Sequence, residues 1–203
     1  AAPEEAIINF LESLPFFPAL EIIRLSFEGS TSLKDNGFKC LADSCSKLEG
    51  LKRIVLDLES CPNLTDQHVK YLLESLARIP TLEALSLYIG RCQITNDALA
   101  IFNIENDAFS KLSELTLVAD GSKITHEIID LLADKVHDMK NLEKLTLSFQ
   151  DCLEIDEKEL NDAVLALQCL PSIRTASVVI NKCRLQTDDV AENSAAATFD
   201  QNA

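Results

Sequence analysis

The chain has 203 residues, 47% of them hydrophobic, and a formal net charge of −15. This is enough apolar residue for a packed core, with no run of eighteen that would cross a membrane as a helix, and 33 Asp and Glu against 18 Lys and Arg argue against a nucleic-acid partner. Seven cysteines form an odd set without a C-x-x-C pair, which reads as reduced thiols in a cytoplasmic, intracellular compartment.

The opening "AAPEEA" has neither the basic start nor the apolar stretch of a secretion signal. It also lacks an initiator Met, which suggests a fragment or a processed chain. Residues 3–14, "PEEAIINFLESL", have the spacing of an amphipathic helix, with Pro3 in the first turn. No strand precedes it, so residues 1–19 are expected to be a cap helix or a truncated repeat.

From residue 20 one frame recurs. Leu20, Leu51, Leu82, Leu112, Leu142 and Ile173 each open a segment of alternating apolar residues, and the steps between them are 30 or 31 residues. A second landmark follows each strand at Leu33, Leu64, Ile94, Ile124, Ile155 and Leu185. Just after it stand Thr65, Thr95, Thr125, Asp156 and Thr187, oxygen-bearing residues suited to capping a helix. Apolar residues then recur at helical spacing, as in Val69, Leu72, Leu76 and Ile79. Each unit therefore reads as a strand, a turn and a helix. In the third unit Asn106 stands where neighbouring helices carry Leu76 and Val136, which predicts a broken or shifted helix. Residues 188–203, "DDVAENSAAATFDQNA", hold few large apolar residues and read as a C-terminal cap helix or a frayed tail.

One strand and one amphipathic helix cannot bury their apolar faces alone, but six units side by side can. Residues 20–187 are thus expected to form an α/β stack of six β-α repeats. Helices are about 10 Å wide and strands about 4.8 Å apart. Such a stack curves, with a parallel sheet on the concave face and helices on the convex face.

The repeat "LxxLxLxLxxCxIT" resembles that of leucine-rich repeat proteins. Its long helical half and its period resemble the ribonuclease-inhibitor-like and cysteine-containing subfamilies, and "LKDNGF" (33–38) and "LTDQHV" (64–69) are similar to their "LTDxG" turn. The resemblance implies a curved horseshoe solenoid and places the cysteine of each unit in the turn leaving the strand. That column reads Ser30, Cys61, Cys92, Ser122, Cys152, Cys183. All six are small donors able to point inward and bond turn carbonyls, which left unpaired cost about 1–3 kcal/mol each. A metal site is the less favoured reading, because the spacing is that of the repeat and not of a zinc motif. Cys40, Cys45 and Cys169 fall on helices as core thiols.

No phosphate-binding loop, dinucleotide fingerprint or nucleophile elbow is present, and there are only five glycines. "HEIID" (126–130) lacks the second His of a zinc-protease helix. His68, His126 and His137 fall on separate units. The chain is therefore read as non-catalytic, without cofactor or metal.

What remains is a surface. Alternation sends Arg24, Val55, Ser86, Thr116, Thr146 and Ser177 outward in one row. The next row is Ser26, Asp57, Tyr88, Val118, Ser148 and Val179, and the third is Glu28, Glu59, Gly90, Asp120, Gln150 and Asn181. Interfaces favour a central aromatic ringed by polar groups. The candidate contact set is therefore Tyr88 as anchor with Val55, Asp57, Glu59, Val118 and Asp120 around it. The excess of acid favours a protein partner with a basic surface. The function read from the sequence is a protein-interaction module, a scaffold or adaptor subunit of a hetero-complex. By the resemblance, two alternatives stand beside it. One is the substrate-recognition region of an F-box-type ubiquitin ligase, and the other is a stoichiometric enzyme inhibitor similar to ribonuclease inhibitor.

Overall fold

The computed structural model describes residues 2–103, 109–125, 127–152, 173–181 and 194–200. Helix α1 (Glu4–Ser13) leads through a short 3-10 turn (Leu14–Phe16) into strand β1 (Ile22–Ser26). Then come α2 (Asp35–Ser46), β2 (Arg53–Asp57), α3 (Asp66–Leu76) and β3 (Ala84–Tyr88). A 3-10 helix (Asn96–Asn103), β4 (Glu114–Val118), α4 (Glu127–Asp138) and β5 (Lys144–Ser148) follow. The last described elements are β6 (Thr175–Asn181) and β7 (Ser194–Asp200).

Strands β1 to β6 lie side by side in chain order, all parallel. Their registers reproduce the period of the sequence. Ile23 pairs with Ile54, Ile54 with Leu85, Leu85 with Leu115, Leu115 with Leu145, and Leu145 with Ala176. The helices pack in the same order, α1 on α2, α2 on α3, then the 3-10 helix and α4. One apolar core joins the two layers. Ile54, Leu56 and Leu58 of the second unit are fully buried in it, with Leu41 of α2 and Leu76 of α3. Ser44 and Ser75, 31 residues apart, are buried on α2 and α3, where small side chains let the helices approach.

Three helix starts are capped from one unit earlier, whereas α3 uses its own Thr65 and His68. The Glu4 carboxylate accepts the Lys34 and Gly37 N–H groups at 3.1 Å each, and Asp66 accepts the N–H and hydroxyl of Thr95 at 2.8 Å each. Asn96 repeats the pattern toward Thr125. A carboxylate at a helix N-terminus satisfies N–H groups that have no partner within the helix.

The turn leaving each of the strands β1 to β5 places one residue in the left-handed region: Gly29, Ser60, Arg91, Gly121 and Asp151, with φ between 55° and 64°. Glycine meets this demand freely, and the other three accept strain so that the chain can reverse within one turn.

The third unit, expected to hold a broken or shifted helix, carries a 3-10 helix, and Asn106 lies outside the described residues. One expectation changes. The segment expected to be a cap helix or frayed tail holds strand β7, which pairs antiparallel with β6 from Thr175↔Asp200 to Asn181↔Ser194. The β6 edge offers unpaired backbone groups, and small residues such as Ala195, Ala196 and Ala197 take the extended form when a ladder is there to join. Residues 153–172, which include the expected fifth helix, lie outside the described residues, as do Cys169 and Cys183.

Candidate functional site

The sheet's open face carries the predicted rows. Register places Arg24, Val55, Ser86 and Thr116 side by side, and Ser26, Asp57, Tyr88 and Val118 beside them. Val55, Asp57, Glu59 and Tyr88 line one depression of about 370 Å³, together with Arg24, Leu25, Ser26 and Glu28. Val118 and Asp120 lie one strand further along and do not line it. All six predicted contact residues are half-buried, Tyr88 included.

The carboxylates are held in place. Asp57 accepts the Ser26 hydroxyl at 2.9 Å and the Glu59 N–H at 3.2 Å. Asp120 accepts the Ser148 hydroxyl at 2.7 Å and the Gln150 N–H at 2.9 Å. Between Glu59 and Asp120 stands Gly90, where an added Cβ would meet the Asp120 carbonyl oxygen at 3.0 Å. The missing side chain lets the two acids share one field. Burial raises the Glu59 carboxyl above its usual range, the Asp57 carboxylate adds to this, and Arg91 opposes it. The result is a shallow acidic groove with one aromatic wall and Arg24 at its rim.

A second charged group was not singled out from the sequence. Glu114 on β4 accepts from Arg53 of β2 at 2.6 Å and from Lys144 of β5 at 3.1 Å. Ala84 lies between Arg53 and Glu114 in the register and is buried, so the pair closes over its methyl group. Bonds from Arg53 and then Lys144 hold the Glu114 carboxyl below its usual range. The alternation that exposed the other rows carried this signal too, two residues earlier on each strand.

The turn column sits beneath the groove. Cys61 Sγ donates to the Phe27 carbonyl at 3.1 Å, Cys92 to Leu58 at 3.4 Å and Gly90 at 3.3 Å, and Cys152 to Ala119 at 3.4 Å. Ser122 donates within its own turn to Ala119 at 2.6 Å, the shorter side chain reaching the nearer carbonyl. Ser30, in the first unit, instead accepts the Leu33 N–H at 3.3 Å. Burial pushes the Cys92 thiol up to about 11 and that of Cys45 to about 12, so both remain protonated donors or apolar fillers at neutral pH. The five described cysteines are free, and among the described residues no cluster of His, Cys, Asp and Glu could hold a metal ion. No helix of the described residues is long and apolar enough to cross a membrane.

No protein-family model and no curated protein sequence matches the chain. Solved structures do. The actin-binding site 2 of leiomodin-1 matches with a TM-score of 0.51 at 16% identity, over 79% of this chain and 84% of that one. The tropomodulin C-terminal domain of Caenorhabditis elegans matches with a TM-score of 0.54 at 14% identity, over 82% of this chain and 92% of that one. The likeness is one of fold. It overturns the resemblance to ribonuclease-inhibitor-like and cysteine-containing repeat proteins. The features that carried that resemblance, a small donor in the turn and a Thr-Asp pair before the helix, are what the packing of any such β-α unit demands. The ubiquitin-ligase and ribonuclease-inhibitor readings, which depended on it, lose their basis.

Proposed function

We propose that the chain is a non-catalytic protein-binding module, an adaptor or scaffold subunit of a larger complex. Its β-α units form a solenoid, and its partner docks on the open face of the sheet. The observation that carries this is the convergence of Val55, Asp57, Glu59 and Tyr88 on one groove with Arg24, Ser26 and Glu28. A half-buried aromatic flanked by fixed carboxylates has the make-up of an interface centre. Its charge favours a partner that presents Lys or Arg, with association that weakens as salt rises. The fold shared with the actin-binding site 2 of leiomodin-1 supports a protein partner and makes actin the first to assay. The free thiols support a reducing, intracellular setting.

The test is affinity capture with the tagged chain, identification of the captured protein and calorimetry with that protein purified. Actin cosedimentation runs alongside. Tyr88→Ala is expected to weaken binding by about 2 kcal/mol, or roughly thirtyfold in Kd. Normal binding by a folded Tyr88→Ala protein overturns the assignment of the groove.

A further inference from the structure

Tyr88 and Asp57 are partners in the register of β2 and β3, and Glu59 follows Asp57 two residues on, toward the same face. Both strands are interior, paired on each side. The three side chains are half-buried and line one groove. The two carboxylates differ in what they already hold. Asp57 is oriented by the Ser26 hydroxyl on one oxygen and the Glu59 N–H on the other, and each oxygen keeps further acceptor capacity. The Glu59 carboxylate accepts no hydrogen bond among the described residues, and no cation of theirs comes within ion-pair distance of it. Arg91 acts on it only from longer range, while burial, Asp57, Asp120 and Glu28 all weigh against its charge.

The chain's own groove cation stands elsewhere. Arg24 is level with Val55 in the register, at the end of the groove away from Glu59. A cation entering the groove is repelled from the Val55 end and drawn toward Tyr88 and Glu59.

We infer that the group bound in this groove is one arginine side chain of the partner, its guanidinium stacked on the Tyr88 ring and forked onto the Glu59 carboxylate, with Asp57 as the second charge. The inference rests on the groove being the partner's site, as proposed above. Arginine fits this place better than lysine. A guanidinium is planar and stacks on an aromatic face, whereas an ammonium is a compact point charge. Its fork matches a carboxylate whose orientation is already set, as that of Asp57 is. It is also more weakly hydrated, so it loses less on entering a half-buried site. Its methylene stem covers Val55.

Nuclear magnetic resonance of the full chain tests this directly. The chain has two tyrosines and no tryptophan. The other tyrosine, Tyr71, lies in the helix layer on α3, its hydroxyl donating to Asp43 of α2 at 2.5 Å. Tyr71→Phe therefore leaves Tyr88 as the sole tyrosine signal. The probes are the acetylated, amidated peptide Gly-Gly-Arg-Gly-Gly and its lysine counterpart, which carry the same charge. The arginine peptide is expected to shift the Tyr88 ring resonances at millimolar concentration, and its own δ-methylene protons to move upfield, the ring-current signature of stacking. The lysine peptide is expected to bind at least about threefold more weakly. Glu59→Gln, confirmed as folded by circular dichroism, should weaken the arginine peptide by about threefold or more, and Tyr88→Leu should abolish the upfield shift. Equal responses to the two peptides overturn the arginine inference and leave the acidic groove standing. No Tyr88 response to either peptide, or an arginine response indifferent to Glu59→Gln, also overturns it. The groove as the partner's site is judged separately, by Tyr88→Ala against the captured protein.

Discussion

Replacing Cys92 with alanine removes one S–H donor shared by the Leu58 and Gly90 carbonyls, at 3.4 and 3.3 Å, from a site only 3% exposed. A thiol is a weak donor, so the bond belongs at the low end of hydrogen-bond contributions, about 1 kcal/mol. Deleting the sulfur from a closed core removes roughly a methylene's worth of packing, about 1 kcal/mol more. Cys92→Ala therefore destabilises by about 2 kcal/mol, which lowers the melting temperature of a chain this size by about 4–8 °C. Cys92→Ser retains a donor. Ser122 shows that the column accepts a hydroxyl, being 3% exposed with its bond to Ala119 at 2.6 Å. The serine variant should lose about half as much, roughly 1 kcal/mol. Thermal melting by circular dichroism ranks the variants, and urea unfolding supplies the free energies. If Cys92→Ser unfolds as readily as Cys92→Ala, volume alone sets the cost and the donor role is refuted.

Alkaline pH should destabilise the protein through its buried thiols. The Cys45 pKa is raised to about 12 from an ordinary 9.0, so its contribution is whole below pH 9 and is lost as the unfolded state ionises above it, by about 1.4 kcal/mol per pH unit up to about 12. A Cys45→Ala protein should show a flatter decline in melting temperature across that window. Asp151→Gly relieves a residue held at φ 58° and should stabilise by about 0.5–1 kcal/mol in urea unfolding. Gly90→Ala presses a methyl group to 3.0 Å from the Asp120 carbonyl oxygen and should cost about 1–3 kcal/mol by the same assay. Acidification should slow association with a basic partner in stopped-flow measurements at a pH above the ordinary glutamate range, because the Glu59 pKa is raised and the groove loses that charge early. Glu59→Gln should remove this pH dependence.

The repeat alone determined the sheet's order and register. Leu20, Leu51, Leu82, Leu112, Leu142 and Ile173 are spaced by the same 31, 31, 30, 30 and 31 residues that separate Ile22, Arg53, Ala84, Glu114, Lys144 and Thr175 in the ladder. A side-chain period of two then settles which residues face out, so the sequence alone makes Asp57 and Tyr88 neighbours. Local pattern carries such information because each unit contacts mainly the next. Tertiary structure decided what depends on the reach of particular side chains and on edges. It drew Arg24 and Glu28 into the groove and left Val118 and Asp120 outside, closed the Arg53–Glu114 bridge over Ala84, and handed the helix caps to Glu4 and Asp66 of the preceding unit. It also turned an alanine-rich tail into β7, because a strand of low intrinsic preference forms where an open ladder supplies its hydrogen bonds, and no window of the sequence contains that ladder.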